Sequence, residues 1–357
     1  MNGEWQGFLE QGGASIAEGE VRDFGAPDTE RGLALEADTL CDLSHDALIR
    51  VTGDDSSTFL QGQFTNDIRE VSDSHHQLSS YCSPKGRILA LFRVFKRQGA
   101  VYLQLPKSLL EPTLKRLRMF VLMSKVELTD ASEELARFSL SGPNAEALLA
   151  GQLGDIPSEV DAATTSNGIT VLRLTGVHPR FNLYGETQPM QQLWQGLSGD
   201  GARAIGSEAG RLQDIHAGIP TVQPDTIEAF VPQMLNLQLI KGVNFKKGCY
   251  TGQEVVARMQ YLGKLKRRMY LLHSDNDTPP GIGDETYSPA SASGQGAGKI
   301  VSVAQSAEGG YDILAVAEIS SADGGELYLD EQYHNRLHML ELPYSVEQQE
   351  NSPQAAE

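Results

Sequence analysis

The octapeptide KGCYTGQE (247–254), preceded by Lys246, collects a thiol at Cys249, the ammonium group of Lys247, two glycines (Gly248 and Gly252) and the side chains of Tyr250, Gln253 and Glu254. Cations beside a cysteine, and the start of a following helix, both favour the thiolate, which is the nucleophilic form. The glycines permit positive φ and close approach of a ligand to the backbone, and a turn of this kind suits a carboxylate or phosphate. Gln253 and Glu254 would open the helix EVVARMQY. The same spacing also fits a Gly-bounded turn that holds a buried cysteine under a solvated lysine face, and spacing leaves both readings open.

Charge singles out the same segment. The 357-residue chain carries 29 Lys+Arg against 47 Asp+Glu, a net −18. Yet between Lys241 and Arg268 eight basic residues (Lys241, Lys246, Lys247, Arg258, Lys264, Lys266, Arg267 and Arg268) meet one acid, Glu254, for +7, which leaves −25 on the remainder. An acidic field disfavours wrapping by nucleic acid, while one basic locus suits a small polyanion. KLKRR (264–268) is a funnel for such a ligand, a dock for an acidic partner or a solvated charge run.

Cys41, Cys82 and Cys249 are too far apart to give zinc-ligand spacing, so no metal site is expected. A sparse, odd set reads as reduced thiols of a cytosol-like compartment. The N-terminal MNGEWQGFLEQGG lacks a basic leader, and no apolar run approaches the roughly 20 residues of a membrane span. The expectation is a cytoplasmic protein without a membrane partner.

Elements must hold this chemistry in place. Residues 1–38 are Gly- and acid-rich and read as a loose arm. ALIRVTG (47–53) alternates as a strand, and Asp54, Asp55 and Ser56 offer caps to a short helix. HQLSSYC, RILALFRVF and AVYLQL read as an antiparallel meander turning at KRQG (96–99). Leu110, Leu114, Leu117 and Val121 form a helical stripe. Strands at 138–142, 169–176 and 180–185 follow, with helices at PNAEALLAGQL and QPMQQLWQGL, so the class is α+β. From about Leu265 short strands parted by Gly, Asp and Ser indicate an all-β module, and the end of the chain is a polar tail.

FVPQMLNLQLIKGVNFKKGCYTGQEVVARMQYLGKLKRR (230–268) resembles the signature of the YgfZ family of folate-binding, GcvT-like proteins, relatives of the glycine-cleavage aminomethyltransferase (T-protein). FLQGQFTNDI (59–68), YCSPKGRILALFRVF (81–95), FVLMSKVEL (120–128), SGP (141–143) and DIHAGIP (214–220) resemble further family blocks in family order, over roughly 42–343. The resemblance implies a ring of three domains: two partly interleaved α+β domains (about 39–125 and 126–262), then a β-barrel (263–343) before a tail at 344–357. It also implies tetrahydrofolate or a derivative, polyglutamylated forms included, as cofactor, and iron–sulfur enzymes or their assembly proteins as partners. Through one such enzyme the link to tRNA methylthiolation is indirect.

Within that resemblance, Cys249 and Lys247 are the reactive candidates, Lys247 depressing the thiol's pKa or holding an anion. Asn66 and Asp67 could reach a pterin or simply form an Asx turn. Arg87 could bind folate glutamates or guard a sheet edge. Asn236 could line the pocket or cap backbone, and Arg258 could serve the ligand or pair with Glu254 four residues earlier. His216 reads as a satisfied helix histidine. Two departures stand against T-protein chemistry, and a third, in the tryptophans that line the folate site of bacterial relatives, bears on folate affinity and pose. The Asp pair of T-proteins falls on Ala90 and Leu91, which can neither carry charge nor accept a hydrogen bond. The acidic element of the T-protein's Tyr-Thr-Gly-Glu stretch is missing from 175–185, and Trp5 and Trp194 lie outside the family blocks. A folate-dependent one-carbon transferase, and a client-docking scaffold with a vestigial folate site, are the alternatives.

Overall fold

A computed structural model describes residues 1–291 and 296–346. The meander forms as its alternation predicts: Gln77–Cys82, Ile88–Arg97 and Ala100–Pro106 pair antiparallel in sequence order. Gln98 and Gly99 take positive φ (50° and 80°), the signature of a tight two-residue hairpin. Asp46–Thr52 adds beside Ala100–Pro106 and Glu127–Asp130 completes five strands. One face sends Ile49, Val51, Phe92, Val94 and Leu103 into the largest apolar core. On the other face, cross-strand register sets Leu78, Arg93, Gln104 and Leu48 in a row over four strands.

A second, six-stranded sheet runs in the order Ala163–Ser166, Ile169–Leu174, Arg180–Gly185, Ala136–Ser141, Thr39–Asp42, Arg203–Ile205, the last pair parallel. Thr39–Asp42 thus belongs here although the next strand enters the first sheet. Its outer face packs Phe138, Leu140, Phe181 and Leu183 under the helices Ala145–Leu153 and Thr187–Gly199. Its inner face carries the row Leu172, Asn182, Ser139, Cys41. Leu48, Phe95 and Tyr102 of the first sheet meet Leu172, Leu174 and Tyr184 of the second in one apolar cluster, so the two polar-bearing rows face each other.

Residues 1–38 are folded rather than loose. Asn2 caps the helix Gly3–Gln11 by accepting the Trp5 N–H at 2.9 Å, and Trp5 is buried between Phe138 and Trp194 with its indole donating to Asp42 at 2.7 Å. The helix Pro27–Glu36 follows a hairpin of Ser15–Ala17 and Glu20–Asp23, and its buried Glu30 carboxylate accepts the N–H groups of Phe24, Ala26 and Gly206. A few apolar anchors in an acidic stretch, and a carboxylate satisfied by backbone, order this segment.

Smaller expectations are corrected too. Asp55 does not cap the helix Ser56–Gln61; its carboxylate takes the Lys125 N–H at 2.8 Å. The helix Leu110–Met119 ends before Val121, which still packs on the core. In the C-terminal module Arg267–Ser274, Gly298–Gln305, Tyr311–Glu318 and Arg336–Leu340 are joined by two short strands, and the reciprocal Tyr287–Tyr328 backbone bonds (2.8 and 2.9 Å) bring the ends together as a nearly closed barrel. A short helix, Ile319–Asp323, interrupts what the sequence reads as all-β. Tyr344, assigned to the tail, docks by donating to the Gly218 carbonyl at 2.9 Å; residues 347–357 of the tail lie outside the described residues.

The helix Ser207–His216 joins these parts. It lies against Pro27–Glu36 and against the barrel strand Gly298–Gln305. His216 at its end reaches the barrel carboxylate Asp312 at 2.8 Å, which also holds His273 at 2.7 Å. Both imidazoles help hold the Asp312 carboxyl below the usual range, against the effect of burial.

Candidate functional site

Between the facing rows of the two sheets lies a recess of about 90 Å³, which continues into a cavity of about 460 Å³ bordered by Cys41, Ser139 and Arg180 of the second sheet and by Glu18, Gly19 and Glu20. Period-two alternation puts Arg180, Asn182 and Tyr184 on the inner face of one strand and Arg93 and Gln104 on the opposite sheet. Gln104 donates to Asp46 at 2.6 Å and accepts from the Tyr184 hydroxyl, which in turn accepts from the Asn182 amide at 3.2 Å. Arg180, 5% exposed in its side chain, pairs with Asp214 at 2.7 Å.

This network leaves capacity unused. Arg180 Nε, Asn182 Oδ1 and His45 Nδ1 are buried without a hydrogen-bond partner among the described residues. Arg93 makes no hydrogen bond or ion pair among the described residues, although it lines the recess. Burial pushes its pKa below the usual arginine range, and the carboxylates of Asp161 and Asp214 work against that. Leu78, Leu91 and Leu174 supply apolar wall. Buried donors and acceptors left open beside apolar wall are what a ligand with both characters would satisfy. Leu91 faces the recess while Ala90 sinks into the core, so a leucine stands on the cavity side of the pair.

The octapeptide is built in the opposite way. Lys247 is buried, and its ammonium donates to the carbonyls of Gln61 (2.7 Å), Phe64 and Asn66 (3.1 Å) at the end of the helix Ser56–Gln61. All three hydrogens are spent on backbone, which leaves none to hold an anion. Burial lowers its pKa to about 8, with Asp67 opposing, and its nitrogen lies 5.0 Å from the Tyr250 ring centroid. Gly252 has φ +84° and begins the helix Gln253–Tyr261; a Cβ there would strike the Ser83 carbonyl and lie 2.9 Å from the Gly86 Cα. Gly248 meets no such neighbour and has no positive φ, so the freedom expected of it is not used. Gln253 donates to the Lys247 carbonyl at 3.4 Å and closes the turn. Glu254 and Arg258 are exposed and form no ion pair with each other. What the turn presents is Cys249, an exposed thiol; Cys41 and Cys82 are buried, and burial pushes Cys82 up to about 12.

The other candidates spread outward. The Asn66 amide donates to the Leu78 (2.9 Å) and Lys241 (2.7 Å) carbonyls while its oxygen accepts from Asp67 N–H, and Asp67 binds Arg69. Arg87 donates to the Ala229 carbonyl at 2.6 Å. Asn236, at φ +56°, donates to the Met269 carbonyl at 2.9 Å and so ties the barrel to the preceding segment. None of these lines the central cavity. The basic island is likewise partly consumed, Lys241 by Asp161 (3.3 Å) and Arg267 by Glu318 (2.9 Å), and the cations at the cavity mouth are Lys107 and Arg211. Arg93, Arg180, Asn182 and Gln104 were missed by sequence reasoning, although RFNLYG alternates polar and apolar residues and FRVF sets an arginine in a buried run.

Among known proteins, a model of the GCVT N-terminal domain family matches residues 28–247. The chain is 32% identical over 307 residues to the tRNA-modifying protein YgfZ of Colwellia psychrerythraea, across 86% of this chain and 93% of that one. It is 30% identical over 309 residues to the tRNA-modifying protein YgfZ of Yersinia enterocolitica, with the same coverage. The crystal structure of glycine cleavage system aminomethyltransferase T from Bartonella henselae shares the fold, with a TM-score of 0.77 over 96% of this chain and 97% of that one at 17% identity. Sequence relatives and fold agree, and the chain belongs to the YgfZ family of GcvT-like proteins.

Proposed function

We propose that this protein binds a tetrahydrofolate in the cavity between its first two sheets and acts as a cytoplasmic accessory factor for the assembly or repair of iron–sulfur enzymes, through which it affects tRNA modification. The observation that carries the folate reading is the set of open polar groups in that cavity. Arg93 and Arg180 would take carboxylate or carbonyl oxygens, Asn182 Oδ1 would accept from a ring N–H or amino group, and Leu78 and Leu91 would lie against the ring faces. The recess of about 90 Å³ takes only the part of the ligand that meets these groups, and the adjoining cavity of about 460 Å³ is in the range of sites for ligands of that size. The tRNA link rests on the name borne by the relatives, and the iron–sulfur role on the family resemblance. Aminomethyl transfer is disfavoured because the cavity side carries Leu91 where a carboxylate would be needed.

Cys249 is the group we assign to the client side, since it is the exposed thiol and its turn is rigidly seated. Calorimetric titration with tetrahydrofolate tests the first part: binding is expected, weakened at least tenfold in Arg93→Leu, and absence of heat and of any thermal shift would sink it. Cys249→Ala in a deletion strain tests the second. Loss of iron–sulfur enzyme activity with unchanged thermal stability supports the assignment, and full restoration of activity refutes it.

A further inference from the structure

We propose that a second cavity, separate from the folate reading, binds a planar heterocycle through a lactam edge. This cavity, of about 370 Å³, lies between the loop 241–246 and the start of the strand Gln77–Cys82. Gln77 lines it and is 3% exposed, yet neither its Nε2 nor its Oε1 has a hydrogen-bond partner among the described residues. The neighbouring Asn66 amide is saturated by backbone, as described above, so it forms wall while Gln77 remains open.

A primary carboxamide with both atoms unpaired presents one donor and one acceptor side by side. The complement is a cis-amide edge, an N–H next to a C=O, as in a pyrimidinone or pterin ring. A carboxylate would satisfy only the donor and an alkyl group neither. The remaining walls suit a ring: Leu78, Val243 and Phe245 offer apolar and aromatic surface. At the rim Lys241 is paired with Asp161 at 3.3 Å, and Lys246 is exposed. Among the described residues only Leu78 lines both this cavity and the central recess, so variants at Gln77 and Arg93 distinguish the two.

The test is saturation-transfer NMR and calorimetry on the full chain with uridine, a source of this edge outside the folates. Uridine should bind, with affinity falling tenfold or more in Gln77→Leu and staying within twofold of the parent in Arg93→Leu. Phe245→Ala is the companion variant, since it removes aromatic wall without touching the carboxamide, and should also weaken the probe. The proposal is overturned if uridine does not bind, if both variants bind it like the parent, or if Arg93→Leu rather than Gln77→Leu abolishes uridine binding.

Discussion

The central cavity and the 247–254 turn both concentrate polar side chains, yet they spend them differently. In the turn every hydrogen of the Lys247 ammonium is committed to a backbone carbonyl and Gln253 closes the loop, so chemistry is left to a single exposed thiol. In the cavity Arg93, Arg180, Asn182 and His45 keep unused capacity. Saturated polar groups rigidify, whereas unsatisfied ones cost stability and await a ligand. The lysine that looks most reactive in the sequence is therefore a strut, and the arginine that looks like strand filling is the open binding group.

Substitutions can break this contrast. Lys247→Met should cost about 3 kcal/mol or more in urea unfolding, because three buried carbonyls lose their donor; a loss under about 1 kcal/mol would remove the strut role. Gly252→Ala should cost about 2 kcal/mol from positive φ and the clash with the Ser83–Gly86 turn, against less than about 0.5 for Gly248→Ala. Equal effects at the two glycines would contradict the seating described. Arg93→Leu should change stability by less than about 1 kcal/mol, since Arg93 is half-buried and makes no hydrogen bond or ion pair among the described residues, while the folate affinity falls. An unfolding cost like that of Lys247→Met would show the cavity to be scaffold as well.

The smallest effect is a pH dependence at the edge of the turn. The Arg69 guanidinium holds the Asp67 carboxyl at about 2, below its unfolded value near 3.8. A depressed folded pKa adds stability above the unfolded value, lost as pH falls from about 4 toward 2. Asp67→Asn should flatten the acid limb of the stability profile in that window, as followed by thermal melts, and an unaltered limb would mean that Arg69 confers nothing there.

Much of the architecture was legible because alternation and turn residues are local. The meander, its KRQG hairpin and the β-rich C-terminal module follow from neighbouring residues. The N-terminal segment was not legible, since Trp5, Leu9 and Val21 find their partners far along the chain and acidic composition masks them. The cavity failed for a related reason. Arg93 and Arg180 face each other only after two sheets have formed and packed, and a polar residue in an apolar strand carries no mark of what lies opposite. The octapeptide attracted attention by its composition, but only its contacts separate the strut from the presented thiol.

The placement of Thr39–Asp42 in the second sheet also bears on synthesis. Opposite Thr39 stand Ser141 and Arg203, which leave the ribosome only after the whole first sheet. A buried strand carrying Leu40 and Cys41 must wait with both edges unpaired while a complete neighbouring sheet can fold. Such long-range pairing is intrinsically slow and exposes the nascent chain to association. The first sheet should acquire amide protection early in refolding, and the second, with its cavity wall, late.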